Sequence, residues 1–136
     1  MSVSGEANLD VLIGEMQPEL GEATYVFATV SCEFEFKPLK PLMVFHEQEG
    51  TTLIVKEADA KAAGLSAEFQ CKMITLNIHS SLDAVGFLAR ITTHLAKQGM
   101  GVNPVSGFYH DHLFVPANRA DDALLALAEL SGSINS

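Results

Sequence analysis

A histidine–aspartate–histidine triplet is the densest group of side chains in this 136-residue sequence that could do chemistry. His110, Asp111 and His112 could supply metal ligands, or an acid and a base for proton transfer. A metal site needs three or four convergent ligands, whereas neighbouring side chains in a turn need not point together. Aspartate also favours tight turns, because it hydrogen-bonds locally and tolerates left-handed backbone. The triplet therefore predicts a turn at His110-Asp111, and we rank a metal site or a small histidine-based enzyme below it.

The other histidines are far from one another in the sequence. His46 lies in a strand-like run and is expected at its surface, and His94 lies near Gln98 on the polar side of a predicted helix, where we expect solvent exposure. His79 ends a predicted strand and could contact a ligand carboxylate. The sequence has no H-E-x-x-H pattern, nucleophile elbow, phosphate loop or dinucleotide fingerprint. We therefore predict no catalytic residue, no metal ligand and no cofactor.

The composition indicates an acidic globular protein. Hydrophobic residues make up 48% and charged residues 18%, as in folded domains. A net charge of −9 repels phosphate backbones, which argues against a nucleic-acid partner. The first residues lack the basic and apolar regions of a signal peptide, and no apolar run is long enough to cross a membrane. We therefore expect a cytoplasmic protein with reduced cysteines and no membrane partner.

The second half of the chain predicts strands and helices in the order β-α-β-β-α. Alternating apolar residues over 69–79 predict a strand, and helical spacing over 80–99 predicts a helix with Ser80 or Ser81 as its N-cap. A hairpin follows over 102–110 and 112–117, then a helix over 119–130 and a polar tail, which either frays or adds a short strand. This is the order of a ferredoxin-like βαββαβ unit.

The first half repeats part of this order less regularly. The patterns predict a helix over 7–16, a strand over 23–31, a hairpin over 41–57 that turns near Glu49-Gly50, and a helix over 57–65. We therefore predict an α+β protein of two ferredoxin-like units, 1–66 and 67–136, with antiparallel sheets and helices on one face. Because such small units bury little apolar surface alone, we expect them to share one sheet or to pack side by side.

Three segments of the second half carry a family resemblance. They are "MITLNIHSSLDAVGFLARITTHLAKQGMGVN", "VSGFYHDHLFVP" and "DDALLALAEL". Their order, with Gly86 near the start of the helix, Gly99 and Gly101 after it and Asn103 opening the next strand, resembles an ACT domain. The first half resembles it more loosely, mainly through "PLMVFHEQEGTTLIV". The whole chain is similar to short bacterial proteins built of two ACT-like units and to the regulatory ends of aspartate kinases.

The resemblance implies a regulatory protein rather than an enzyme. ACT domains typically bind a small ligand, most often an amino acid, at the loop between the first strand and the first helix. A neighbouring ACT unit, in the same chain or across a dimer, often completes the site. Carried over to this sequence, the ligand-binding residues would be His79, Ser80, Ser81, Leu82, Asp83, Ala84, Val85, Gly86 and Asn103.

Residue chemistry supports an amino-acid ligand at this loop independently. A helix N-terminus offers free N–H groups to a carboxylate, and Asp83 offers a negative charge to an ammonium group. The plainer interpretation is that Ser81 only caps the helix and Asp83 only complements its dipole. We expect an amino-acid ligand and a homodimer. The alternative is a structural or interaction protein that dimerises through its sheets and retains a vestigial ligand site.

Overall fold

The structure is a computed structural model that describes residues 5–135. It confirms the α+β class and the order β-α-β-β-α of the second half. The described elements are α1 (Leu9–Glu15), β1 (Pro18–Leu20), β2 (Tyr25–Val30), β3 (Met43–His46), β4 (Thr51–Lys56), α2 (Glu57–Ala62), β5 (Ser66–Leu76), α3 (Phe87–Ala96), β6 (Asn103–Ser106), β7 (Asp111–Pro116) and α4 (Ala120–Asn135).

The chain divides into two compact units, and the first of them is discontinuous in sequence. It comprises the residues up to Gly21 together with those from Lys72 onward, whereas residues 22–71 form the second unit. This division differs from the predicted boundary after residue 66, because α1 folds with the second half of the chain. The reason is apolar burial: Leu12 and Ile13 of α1 are fully buried in the core of the discontinuous unit.

The discontinuous unit is a sheet covered by helices. The last part of β5 pairs antiparallel with β1, and β7 lies between β5 and β6. Alternate residues of two strands, Ile74 and Leu76 of β5 and Leu113 and Val115 of β7, are buried. Because alternate strand residues share a face, these side chains form one apolar surface, and α1, α3 and α4 contribute residues to the same core.

The second unit contains the hairpin predicted with its turn near Glu49-Gly50. β3 and β4 pair antiparallel, and β4 also pairs with β2. The first part of β5 lies against β2, where Phe69 has φ of 62° and the register shifts. Such an extra residue in one strand is a β-bulge. After the bulge, Cys71 is buried, which raises the pKa of its thiol to about 12 and leaves it protonated at neutral pH.

Two predicted boundaries are wrong. The predicted helix over 80–99 begins only at Phe87, because Ser81 closes a separate turn. The Ser81 Oγ accepts from the Asp83 N–H at 3.0 Å, and the Ser81 carbonyl accepts from the Ala84 N–H at 3.0 Å. Neither Ser80 nor Ser81 is therefore the N-cap, which is Gly86.

The predicted tail beyond residue 130 is neither frayed nor a strand, because α4 continues through Asn135. Two side chains of this last part, Ser131 Oγ and Asn135 Nδ2, each donate to the Gly14 carbonyl of α1 at 2.9 Å. They satisfy a carbonyl near the C-terminal end of α1 that has no partner within the helix. Position 136 lies outside the described residues.

Candidate functional site

The loop between β5 and α3 is held in place by the segment before α1. The Glu6 N–H donates to the His79 carbonyl, and the Ser81 N–H donates to the Glu6 carbonyl, both at 2.7 Å. Glu6 and Ser80 form an isolated parallel bridge. These backbone bonds fix the orientation of Ser80, whose side chain is buried. The loop is therefore a positioned part of the discontinuous unit.

Asp111 is the buried charged side chain beside this loop. It is 6% exposed. Ser80 Oγ donates to one of its carboxylate oxygens at 2.9 Å, and Ser106 Oγ donates to the other at 2.7 Å. Within residues 5–135, no lysine, arginine or histidine forms an ion pair with it. Because neutral hydroxyl groups cannot balance its charge, a cationic group would be stabilised next to Asp111.

The prediction placed Asp111 in a tight turn, and this is wrong. The turn spans Gly107 to His110, where the Gly107 N–H donates to the His110 carbonyl at 2.9 Å, and Asp111 is the first residue of β7. Strand alternation could have revealed this position. Asp111 has the same parity as Leu113 and Val115, both fully buried, so all three point to one face of β7.

A cleft of about 210 Å³ lies between the loop, the start of α3 and Asp111. It is larger than a water molecule and smaller than typical drug-sized sites of about 300–1,000 Å³, so it suits a small ligand. Its lining residues are Ser80, Ser81, Leu82, Ala84, Gly86, Phe87, Leu88, Ala89, Ser106 and Asp111.

The N-terminus of α3 lines the same cleft and has no side-chain cap. Its N-cap, Gly86, has φ of 89°, and the first intrahelical bond runs from the Arg90 N–H to the Gly86 carbonyl. The N–H groups of Phe87, Leu88 and Ala89 therefore have no acceptor within the helix. Such a turn suits a carboxylate, because it combines free donors with the positive end of the helix dipole.

The predicted ligand-binding residues are divided by the structure. Ser80, Ser81, Leu82, Ala84 and Gly86 line the cleft. The other four are not among its lining residues: they are His79, Asp83, Val85 and Asn103. Of these, Asp83, Val85 and Asn103 are exposed. Asp111 and Ser106, which sequence analysis did not select, do line it.

His79 lies next to the cleft but packs against exposed aromatic rings. Its ring centroid is 6.1 Å from that of Phe108 and 5.3 Å from that of Tyr109, and both of these side chains are about three-fifths exposed. The rings of Phe108 and Tyr109 also meet edge to face at 5.0 Å. The three rings form an aromatic cluster at the end of the β6–β7 hairpin.

The histidines of the triplet do not converge with Asp111. The His110 and His112 ring centroids are 6.4 Å apart, and the Nδ1 atom of His112 is 3.0 Å from the Thr75 hydroxyl. Burial lowers the pKa of His112, the charge of His110 lowers it further, and Asp111 opposes both effects. In residues 5–135, no three His, Cys, Asp or Glu side chains are placed to hold a metal ion.

None of the helices in the described part of the chain has the length and apolar character needed to cross a bilayer.

Two family models match the sequence in tandem, and both describe an ACT domain. The first covers residues 4–72 and the second covers residues 68–129. Together they span nearly the whole chain. The matches meet near the predicted boundary after residue 66, although the compact units of the structure divide elsewhere. No curated protein matches the sequence.

Solved structures share the fold over most of their length. A protein of unknown function from Vibrio cholerae, described as a possible transport protein, is 40% identical, with a TM-score of 0.83 over 90% of this chain and 95% of that one. A protein from Agrobacterium tumefaciens is 15% identical, with a TM-score of 0.69 over 84% of this chain and 87% of that one. The ligand-free regulatory subunit of aspartate kinase from Thermus thermophilus is 13% identical, with a TM-score of 0.64 over 96% of this chain and 98% of that one.

Proposed function

The chain belongs to the ACT-domain family, and from this premise we propose that it is a regulatory module that binds an amino acid in the cleft beside Asp111. The ligand contacts are the loop residues Ser80 and Ser81, the first turn of α3, and Asp111. The module acts by ligand binding rather than by catalysis, works in the cytoplasm and assembles as a homodimer.

The observation that carries this proposal is a pair of opposite charge preferences in one small cleft. The uncapped N-terminus of α3 favours a carboxylate, and the buried Asp111 favours an ammonium group. An α-amino acid carries both groups on one carbon atom. Neither preference alone selects this ligand, since a simple anion would be repelled by Asp111 and a simple cation by the helix dipole.

Asp111 takes the role that sequence analysis gave to Asp83. Asp83 is exposed and lies outside the cleft, so water screens its charge. Asp111 is buried, so its charge acts through a less polar surrounding. Ser80 and Ser106 hold both of its oxygens, which orients the carboxylate before a ligand arrives. This preorganisation reduces the entropy that binding would otherwise cost.

Binding would connect elements that are distant in sequence. The carboxylate end of the ligand would contact α3, and the ammonium end would contact β7. A ligand held by both stabilises the arrangement in which the two lie correctly spaced. If a partner protein recognises that arrangement, the ligand shifts the population towards the partner-binding state, which is the physical basis of regulation.

The test is a thermal-shift screen with each common amino acid at millimolar concentration. We expect at least one to raise the melting temperature, and we expect Asp111→Asn to weaken its binding by about tenfold or more, since it removes a charged partner. Asp83→Asn is the matched control, because it removes an exposed acid from the same loop. The proposal is wrong if no amino acid binds, or if only Asp83→Asn weakens binding.

The second candidate is an interaction protein that dimerises through its sheet and whose cleft is vestigial. The observation that favours it is β6, which ends the strand order of the sheet and pairs with β7 on one side. Edge strands of this kind can pair across a two-fold axis. Sedimentation at several protein concentrations, with and without amino acids, separates the candidates: a stable dimer that no amino acid binds supports this one.

A further inference from the structure

A second cavity of about 520 Å³ lies along the outer face of α3; it shares Gly86 and Ala89 with the cleft, but Asp111 is not among its lining residues. Leu9 of α1 and Leu130 of α4 form its apolar part. Arg90, Thr93 and His94 of α3 and the C-cap residue Lys97 also line it. We propose that this α3 groove binds a small organic anion that carries a carboxylate or phosphate head on a short aliphatic body. This inference does not depend on the proposed function of the cleft.

The charge of the groove is opposite to that of the protein. The chain has a net charge of −9, yet two basic residues and no acid are among the residues that line the groove. Arg90 and Lys97 are two helical turns apart, on the same side of α3. Neither forms an ion pair within residues 5–135. Their charges are therefore available to an incoming anion.

Two further groups on the same face of α3 can donate hydrogen bonds. Thr93 lies between the two bases, and its side chain is exposed. His94, which the sequence predicted to be solvent-exposed, is instead half-buried, and its Nε2 atom is shielded from solvent without a hydrogen-bond partner. Buried polar atoms usually have a partner, so an unpartnered one marks a place where a ligand acceptor would be stabilised.

The apolar part of the groove selects the body of the ligand. Leu9, Ala89 and Leu130 line it and would bury a short aliphatic chain, which a bare inorganic ion lacks. The volume lies within the range of small-molecule sites, about 300–1,000 Å³. The lining residues thus fit an amphipathic anion better than a free ion, an amino acid with its ammonium group, or a neutral alcohol.

The experiment follows the backbone amide signals of α3 by NMR during titration of the full chain with hexanoate, hexyl phosphate, hexanol and inorganic phosphate. We expect saturable shifts near Arg90, Thr93 and Lys97 with one or both amphipathic anions. Hexanol and inorganic phosphate should bind more weakly than these anions by about tenfold or more. Hexanoate against hexyl phosphate decides which head group is preferred. Equal binding of hexanol would overturn the proposal, since the bases would then contribute nothing.

Charge variants complete the test. Arg90→Gln and Lys97→Gln should each weaken binding of the amphipathic anion by about tenfold. Lys61→Gln removes the same charge from an exposed residue of the other unit, so it should leave binding unchanged. His94→Phe keeps the ring but removes its nitrogen atoms, and should weaken binding without loss of the folded amide spectrum. If Lys61→Gln weakens binding as much as Lys97→Gln, the effect is general electrostatics and the α3 groove is not the site.

The outcome is distinguishable from that of the proposed function. Amino-acid binding depends on Asp111, whereas anion binding depends on Arg90 and Lys97. Asp111→Asn should leave the hexanoate titration unchanged, and Lys97→Gln should leave the amino-acid thermal shift unchanged. Either proposal can therefore fail while the other holds.

Discussion

His112 lies one residue beyond the buried Asp111 and points to the other face of β7, where it is half-buried. Three surroundings act on its charge. Burial lowers its pKa most, the neighbouring charge of His110 lowers it further, and Asp111 raises it. The net direction is down from the ordinary value of 6.5, so the folded protein prefers the neutral imidazole. The unfolded chain binds this proton more readily than the folded chain does.

This direction predicts the pH dependence of stability. Because the folded pKa of His112 is lowered, its contribution is fully present above about pH 6.5 and is lost as the pH falls through the folded pKa. We expect a lower urea midpoint at about pH 5 than at about pH 7.5, and a smaller decrease in His112→Gln. His110→Gln should reduce the decrease in part, because it removes one cause of the shift. An unchanged decrease in His112→Gln would assign the effect to other groups.

At the residue scale, five of the predicted loop residues line the cleft, and the acid that lines it is Asp111 rather than the predicted Asp83. Ser80, Ser81 and Gly86 could be predicted to lie together because they belong to one short loop. Asp111 could not be assigned from a turn pattern, because its burial depends on pairing with β6 and on Ser80, which is 31 residues away. Its strand parity with Leu113 was the available signal.

The start of α3 is the element on which the candidate cleft depends most. Residues 80–86 form a turn and then a left-handed glycine rather than the first turns of a helix. The serines and the apolar residues at 82 and 85 resembled a capped amphipathic helix, but the side chains of Leu82 and Val85 are exposed. Local hydrogen bonds of Ser81 and the positive φ of Gly86 prevailed over the apolar pattern. Element types were predictable from periodicity, but this boundary depended on side-chain bonding.

Gly86 allows a direct test of this boundary. We expect Gly86→Ala to lower the free energy of unfolding by about 1 kcal/mol or more, because a left-handed φ strains a residue with a Cβ atom. The nearest atom to that Cβ, Leu9 Cδ2 at 3.7 Å, is at ordinary contact distance, so the cost comes from the backbone. Urea denaturation measures it. Gly101→Ala is the control, since its Cβ would meet no atom within 4 Å and its φ is not left-handed. Equal losses in the two variants would contradict the explanation.

At the scale of the whole molecule, the discontinuous unit joins segments that are far apart in the sequence, the residues up to Gly21 and those from Lys72 onward. The sequence predicted two ACT-like repeats, and the family models confirm a tandem. The packing of α1 with the elements after Lys72 could not be predicted, because periodicity shows which face of a helix is apolar and not what covers that face. The burial of Leu12, Ile13 and Met16 is a tertiary property that needs the structure.

The discontinuous unit predicts which fragments of the chain can fold on their own. A fragment of residues 67–136 lacks α1 and its C-cap residue Met16. The three fully buried side chains of this segment, Leu12, Ile13 and Met16, contribute roughly 5 kcal/mol or more by apolar burial. That is comparable to the stability of a small domain. We expect poor amide dispersion in its NMR spectrum. Gly21 donates to the Met73 carbonyl at 2.9 Å, so a short glycine-serine turn could replace residues 22–71.

The chain shortened in this way is the matched comparison. It keeps α1 and the elements after Lys72, and we expect it to give a dispersed spectrum and a cooperative urea transition. A fragment of 67–136 that is as well folded as this shortened chain would show that α1 is dispensable to the core.

The bonds from α4 to Gly14 have a consequence for synthesis. Ser131 and Asn135 are separated from Gly14 by 117 and 121 positions, so α1 leaves the ribosome long before its partners exist. At usual translation speeds this delay is on the order of ten seconds. The second unit, residues 22–71, is contiguous and complete well before then. We therefore expect residues 22–71 to fold first. The apolar side of α1 then stays exposed to solvent until α4 has been synthesised.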